Sequence, residues 1–567
     1  MNQENSASPN GKGSSLDPAT IVALAESKDA EKLDSLGDCY KHGWGVQKDY
    51  HAAVLCYEKA AELGNADAQR SLGYCYNYGQ GVEENMELAV YWYQKAADGG
   101  DIDAQRNLGN CYYYGTGVAQ DYEKAVYWYQ IAAKGGHPHA QNSLAFCYDK
   151  GQGVAQDYKK AMEWYLKAAK QNDEMAQYNL GNCYAFGHGM EPDLQAAVDW
   201  YRKAALNGHP LAQYNLACCY YSGDGTEQDY NEAFHWFVKS AEQDCVAAVY
   251  YVGLCYEEGT GVEQDYAKAV RFYQKAAQKN HADAMYHLAQ CCYQGTGVEQ
   301  DYHKAFQLYK KAAEQGLAEA QCSLAWCYNE GIGTSCDYDA AFGWYEKAAR
   351  QDDALAQYNV GNCYMEGRGT VQNPAKASKW YKKAAEQGNA DAQFNLGECY
   401  YNGDGVSLNY RKAFEWFEKS AMQGNSSAQW RLGCIYQFGT GQREDYGAAF
   451  QWYQAAAMQG NSDAQCSLGD CYHQGLFVAK DAQMAAEWYL KAAEQGDVDA
   501  QFNMGVYFRN GTGVAQDLHK AAQWFQKAAE QGDAEALDAL QKLGLTPQSS
   551  KPLIAGDSDA LNALKDF

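Results

Sequence analysis

The chain repeats itself every 36 residues from about residue 31 to residue 543, with no insertion or deletion to break the register. A period of that length means one supersecondary unit copied many times, each too small to bury its own apolar face and completed by its neighbours. The stretch from Asp101 to Gly136, DIDAQRNLGNCYYYGTGVAQDYEKAVYWYQIAAKGG, is one full unit. In its first half Ala104, Leu108, Cys111 and Tyr112 share one face at the helical spacing; in its second half Ala125, Trp128, Tyr129, Ala132 and Ala133 do the same. The pattern predicts an all-α fold: a right-handed α/α superhelical solenoid of about fourteen 36-residue helix-loop-helix repeats, occupying 17–543 with its capping helices.

The punctuation between helices is equally regular. A glycine follows the first helix in all fourteen units, from Gly43 and Gly79 to Gly511, as a left-handed helix end requires. The second helix opens on Asp or Asn every time, the residues that cap free backbone N–H groups. It closes on Gly in ten units and on Asn172, Asn280, Asp244 or Asp352 in the others, the types that best tolerate the left-handed region. Tryptophan fills one second-helix slot in eleven units, Trp92, Trp128 and Trp164 among them, and is expected to form an aromatic spine shared by stacked hairpins.

Composition narrows the partners. Seventy-two acidic residues against 46 basic ones leave a formal charge of −26, which repels phosphate backbones and anionic lipid heads and attracts basic protein segments. Nucleic acid and direct membrane insertion are therefore not expected, and no apolar run approaches the ~20 residues that span a bilayer. Twelve of the twenty cysteines, Cys39 to Cys471, stand whole periods apart. Equivalent residues two helices apart lie beyond the ~7 Å Cα separation of a disulfide, so these thiols are expected to be buried, reduced hydrophobes. Residues 1–16 read as a disordered tail, 17–30 as a capping helix and 544–567 as a linker and C-terminal tail; a cytoplasmic location is the expectation.

Ala104 to Val118 carries A-x-x-x-L-G-x-x-Y-x-x-G-x-G-V, and Asp121 to Gly136 carries D-Y-x-x-A-x-x-W-Y-x-K-A-A-x-x-G with Ile131 at the lysine position. These motifs resemble the Sel-1-like repeat family, a relative of the tetratricopeptide repeats, over about nine-tenths of the chain. Phe477 in place of the second loop glycine, Ile435 and Tyr507 in place of the cysteine, and Asn85-Met86 in place of Asp-Tyr are local departures. The resemblance implies a non-enzymatic adaptor or scaffold. Its alternative is a β-lactamase-like hydrolase, as linked with some cysteine-rich relatives that carry paired cysteines in each repeat.

Recognition is expected where the repeats differ while the frame does not, along first helices that line the concave side. One such slot holds Tyr178, Tyr214, Tyr250, Tyr286, Tyr358, Phe394, Trp430 and Phe502, with Arg70 and Arg106 near the start. Stiff amphipathic rings anchor protein partners; packing sideways on neighbouring repeats is the other reading. The next slot holds Asn107, Asn179, Asn215, Asn359, Asn395 and Asn503. The tetratricopeptide analogy implies that such asparagines hold a peptide backbone; a helix-to-helix hydrogen bond is the alternative. Near the first-helix ends Tyr113, Tyr114, Phe186, Tyr221 and Phe438 stand beside Glu257, Glu258, Glu330 and Glu366, suiting a basic-aromatic peptide.

No S-x-x-K, H-E-x-x-H or G-x-x-x-x-G-K-[ST] occurs, and the repeated G-x-G follows a helix instead of a strand. No catalytic residue, cofactor or metal site is assigned, and the twelve histidines are expected at the surface.

Overall fold

The computed structural model describes residues 16–542. They form thirty helices and, among the described residues, no strand. Two compact units divide the chain, one as far as His281 and one from Ala282. A helix at Pro18–Ala25 and seven helix pairs lie in the first; seven pairs and a last helix, Ala534–Lys542, lie in the second.

Each hairpin follows from its caps. In the unit from Asp101, the Asp101 carboxylate accepts the Ala104 N–H at 2.6 Å and starts the helix Ile102–Tyr114. Gly115, at φ 71°, ends it, and its N–H donates to the Cys111 carbonyl. Asp121 then accepts from Lys124 N at 3.0 Å and starts Tyr122–Lys134. Each such cap stabilises by about 1 kcal/mol. The four non-glycine residues expected in the left-handed region are there: Asn172 at φ 64°, Asp244 at 63°, Asn280 at 67° and Asp352 at 64°. The second loop glycine has a separate task. A Cβ on Gly117 would lie 2.2 Å from the Met86 carbonyl oxygen of the preceding repeat, so backbone against backbone sets the repeat spacing. Phe477 takes that slot at φ 66°, and Gly447 is the residue beneath its ring.

The core departs from expectation in one respect. The fully buried ring of each second helix is the residue after the tryptophan slot: Tyr57, Tyr129, Tyr165, Phe237, Tyr273, Tyr453, Tyr489 and Phe525 are all below 3% exposed. In most repeats this ring lies flat against a small residue of the first helix; a Cβ on Gly109 would come 2.6 Å from Tyr129. The tryptophans sit at the rim, mostly half-buried, with a lysine one turn on covering the outer face, as Lys203 Nζ lies 3.7 Å from the Trp200 ring centroid. One residue is 100° around a helix, enough to move the spine from Trp to its neighbour.

A second inner feature carried no expectation. A buried glutamine in the first helix donates to the end of the preceding second helix, as Gln141 Nε2 does to Ala133 O at 3.1 Å. The same glutamine accepts from the far end of its own repeat's second helix, here from Gln171 Nε2 at 2.9 Å. Gln213 with Gln243, Gln357 with Gln387 and Gln465 with Gln495 repeat the pattern. This satisfies helix-end carbonyls that burial would otherwise orphan.

All twenty cysteines are free thiols, and ten of the twelve in register are buried. At the start, Asp17 caps Pro18–Ala25, a shorter helix than 17–30, and Leu16 N donates to Gly45 O at 2.7 Å. At the other end Ala536, Ala539 and Leu540 bury the last helix. Of the expected tails, 1–16 and 544–567, all but Leu16 lies outside the described residues.

Candidate partner-binding face

Within each unit the first helices of successive repeats are joined side chain to side chain. Arg70 binds Asp101 and Asp103 of the next repeat, each at 2.9 Å, and Arg431 forms a two-pronged pair with Glu398 at 2.7 and 2.8 Å. On this helix layer lie the residues singled out from sequence.

The aromatic slot is half-buried throughout: Tyr178, Tyr214 and Tyr250 in the first unit, Tyr286, Tyr358, Phe394, Trp430 and Phe502 in the second. Most of these rings pack one side against the core ring of their own hairpin. Centroid distances are 6.2 Å for Tyr178–Tyr201, 6.0 Å for Tyr214–Phe237, 5.9 Å for Tyr286–Tyr309, 6.1 Å for Tyr358–Tyr381 and 5.6 Å for Phe502–Phe525. Some also stack on the next repeat, Tyr178 on His209 at 4.5 Å and Tyr250 on His281 at 5.0 Å. Phe394 lies 5.8 Å from Phe417, and Trp430 carries the Arg431 guanidinium at 4.8 Å. Eight repeats thus carry a ring in this slot with part of it left open, and the buried Cys322 and Cys466 interrupt the row.

The asparagine slot bridges repeats. Asn179 Nδ2 donates to Asn142 Oδ1 at 3.0 Å, Asn215 to Asn182 at 3.4 Å and Asn395 to Asn362 at 3.3 Å; Asn359 is hydrogen-bonded to the Cys322 thiol. A donor so engaged holds one helix to the next.

The more open rings are the last residues of first helices. Tyr78 is 58% exposed, Tyr114 and Phe186 70%, and Phe438 68%. The same position holds Glu258, Glu330 and Glu366, all exposed. Tyr221 donates its hydroxyl to Glu258 at 2.5 Å, so aromatic and acidic groups do meet here.

Two histidines are not at the surface. His137 and His209 cap first helices in place of Asp or Asn, their Nδ1 accepting from Ala140 N at 3.2 Å and Ala212 N at 3.1 Å. Burial holds the His209 imidazole below its ordinary range. His139 lies 2.6 Å from the buried Asp173 carboxylate, and that hydrogen bond raises it.

Sequence comparison matches residues 35–65 and thirteen further consecutive segments, from 66–101 to 498–533, to the Sel1 repeat. The chain belongs to the Sel1 repeat family. Among solved structures, this Sel1 repeat chain is similar to c5321, a protective antigen of uropathogenic Escherichia coli displaying an SLR fold, at 32% identity and TM-score 0.65 over 86% of this chain and 97% of that one. A Sel1 repeat protein from Oxalobacter formigenes matches at 29% identity and TM-score 0.44, covering 58% of this chain and 93% of that one. Helicobacter pylori cysteine rich protein B matches at 25% identity and TM-score 0.21, covering 23% and 98%. No curated protein matches the chain. Among the described residues no helix is long and apolar enough to cross a membrane.

Proposed function

We propose that this Sel1 repeat chain is a non-enzymatic adaptor that holds protein or peptide partners on its first-helix layer. Family membership supports the scaffold role, since Sel1 repeats typically mediate protein interactions. The observation that carries the reading is the ring at the first-helix end: Tyr78, Tyr114 and Phe186 are large, stiff and more than half exposed, although each meets a neighbouring ring, Tyr74, Tyr113 and His188 in turn. Beside them the half-buried row of Tyr178, Tyr214 and Tyr250 supplies a shallower apolar floor, and the second unit supplies its own in Tyr358, Phe394 and Phe502. The net charge of −26 favours a basic segment carrying apolar or aromatic side chains. Twenty free thiols suit a reducing compartment such as the cytoplasm.

The test is affinity capture, identification of the partner by mass spectrometry, and titration of that partner against variants. Tyr78→Ala, Tyr114→Ala and Phe186→Ala combined should weaken binding at least about 30-fold, since hot-spot rings are worth about 2 kcal/mol or more each. Helicity should stay intact. Unchanged affinity in that variant and in Tyr178→Ala/Tyr214→Ala/Tyr250→Ala would remove the aromatic face as the binding surface.

A further inference from the structure

Three side chains from adjacent repeats converge in the first unit. Asp149 stands near the end of the helix Pro138–Lys150, Cys183 near the end of Glu174–Phe186, and His188 in the loop that follows. One ligand atom of each lies within 4.8 Å of the other two; among the described residues this is the one such group. From the geometry we infer that Asp149, Cys183 and His188 form a binding site for a divalent ion of the zinc class.

The frame explains how the three meet. In most repeats the residue after the first loop glycine donates its N–H to the carbonyl of the in-register cysteine; here His188 N donates to Cys183 O at 3.0 Å. Whatever fills that slot is held over the thiol. The slot facing it from the preceding repeat is the one Asp149 occupies. One repeat earlier the two slots hold Tyr113 and Gln152, which close on each other in a 2.6 Å hydrogen bond. Of the fourteen units, this junction alone puts a carboxylate in one slot and an imidazole in the other.

A second observation points to a ligand. Asp149 is only 5% exposed, and its Oδ1 accepts no hydrogen bond. Lys150 Nζ takes the other oxygen, Oδ2, at 2.7 Å. The His188 Nδ1 stands 3.2 Å from Oδ1, close but misaligned for a donated proton. The ring is held from the side by Tyr158 at 5.1 Å between centroids. A buried carboxylate oxygen that accepts no hydrogen bond and faces an imidazole nitrogen and a thiol is part of a donor set that a cation completes. Oxygen, nitrogen and sulfur together suit zinc, which sets its ligand atoms about 3.5 Å apart in a tetrahedron, so a contraction of about 1 Å closes the site. On binding, a metal–sulfur bond replaces the Cys183 S–H bond and the proton passes to solvent. Three protein ligands leave the fourth position to water or to a side chain of a partner, and the ion clips one repeat to the next.

The experiment titrates the full chain, reduced and freed of metal with chelator, with Co2+ and then with Zn2+. A single equivalent of Co2+ should give thiolate-to-metal charge-transfer absorption and tetrahedral d–d bands, displaced by Zn2+. His188→Gln and Asp149→Asn should each weaken binding by at least about tenfold, and Cys183→Ser should abolish the charge-transfer band. Cys147→Ser, the same slot one repeat earlier, should leave the titration unchanged. His188→Gln lies in a loop and retains the helical spectrum, so its loss of binding is separable from unfolding. Absence of the bands at stoichiometric Co2+ would overturn the assignment. So would bands that survive in both His188→Gln and Asp149→Asn, since the ion would then sit on other cysteines of the twenty.

Discussion

The junction that joins Tyr113 to Gln152 and the junction that brings Asp149 to His188 are one repeat apart and share a frame. Both have a buried cysteine between the two slots, Cys147 and Cys183, and in both burial pushes the thiol up to about 12. Both close the loop by a 3.0 Å bond from the slot residue to the cysteine carbonyl. The first junction is filled by a hydroxyl-to-amide hydrogen bond and is complete in itself. The second leaves a buried carboxylate oxygen without a hydrogen bond. Architecture is therefore written in the residues that never change, and chemistry in the two that do.

The loops themselves differ in how tightly they seat, and this yields the largest expected effect. A Cβ on Gly153 would lie 2.2 Å from the Tyr122 carbonyl oxygen, whereas one on Gly189 would meet Tyr158 Cβ at 2.7 Å and the Tyr158 carbonyl carbon only at 3.5 Å. Gly153→Ala should cost about 3 kcal/mol in chemical denaturation and Gly189→Ala about half as much, both being at positive φ. Equal costs would mean that the two loops seat alike.

Next in size is the glutamine shared by the layer beneath both junctions. Gln141→Ala leaves the Ala133 carbonyl and the Gln171 amide without their partner, and should cost about 1–3 kcal/mol. Gln177→Ala, which frees Ala169 O and Asn207, should match it. A large difference between the two would show that the frame is not uniform across the junctions.

The smallest effect separates the helix caps on either side. His209 caps with a neutral imidazole whose affinity for protons burial lowers, so the native state resists protonation more than the unfolded chain does. Its stabilising contribution is full above pH about 6.5 and is lost as the pH falls through the depressed value. His209→Asn restores the cap of Asn65 or Asn389 and should remove up to about 1 kcal/mol of acid sensitivity, read as melting temperature against pH. Parallel profiles for the two proteins would refute this account of the cap.

What was legible in the sequence was local. The caps from Asp49 to Asp517 and the left-handed Asn172, Asp244, Asn280 and Asp352 each follow from one residue's own chemistry, and the structure holds them as read. The spine was misplaced by one residue because period alone does not tell which of two adjacent aromatics, Trp128 or Tyr129, faces inward. The glutamine ladder was hidden because its partners come from three different helices. Asp149 and His188 were hidden for a like reason: they lie in different repeats, and neither is near the other at a recognised ligand spacing. The signal was present, though, in the two slots where this repeat departs from the rest. The surface rows of Tyr178, Tyr214 and Tyr250 were readable as a row, while their contacts with the core beneath were not.

If the frame places both slots alike and side chains alone decide what a junction does, the chemistry should be transferable. Tyr113→Asp combined with Gln152→His, with Cys147 already in place, should give the chain a second Co2+ equivalent with the same thiolate absorption as the first. Titration that still ends at the wild-type equivalence point, in a variant of unchanged helicity, would contradict the separation of frame from function.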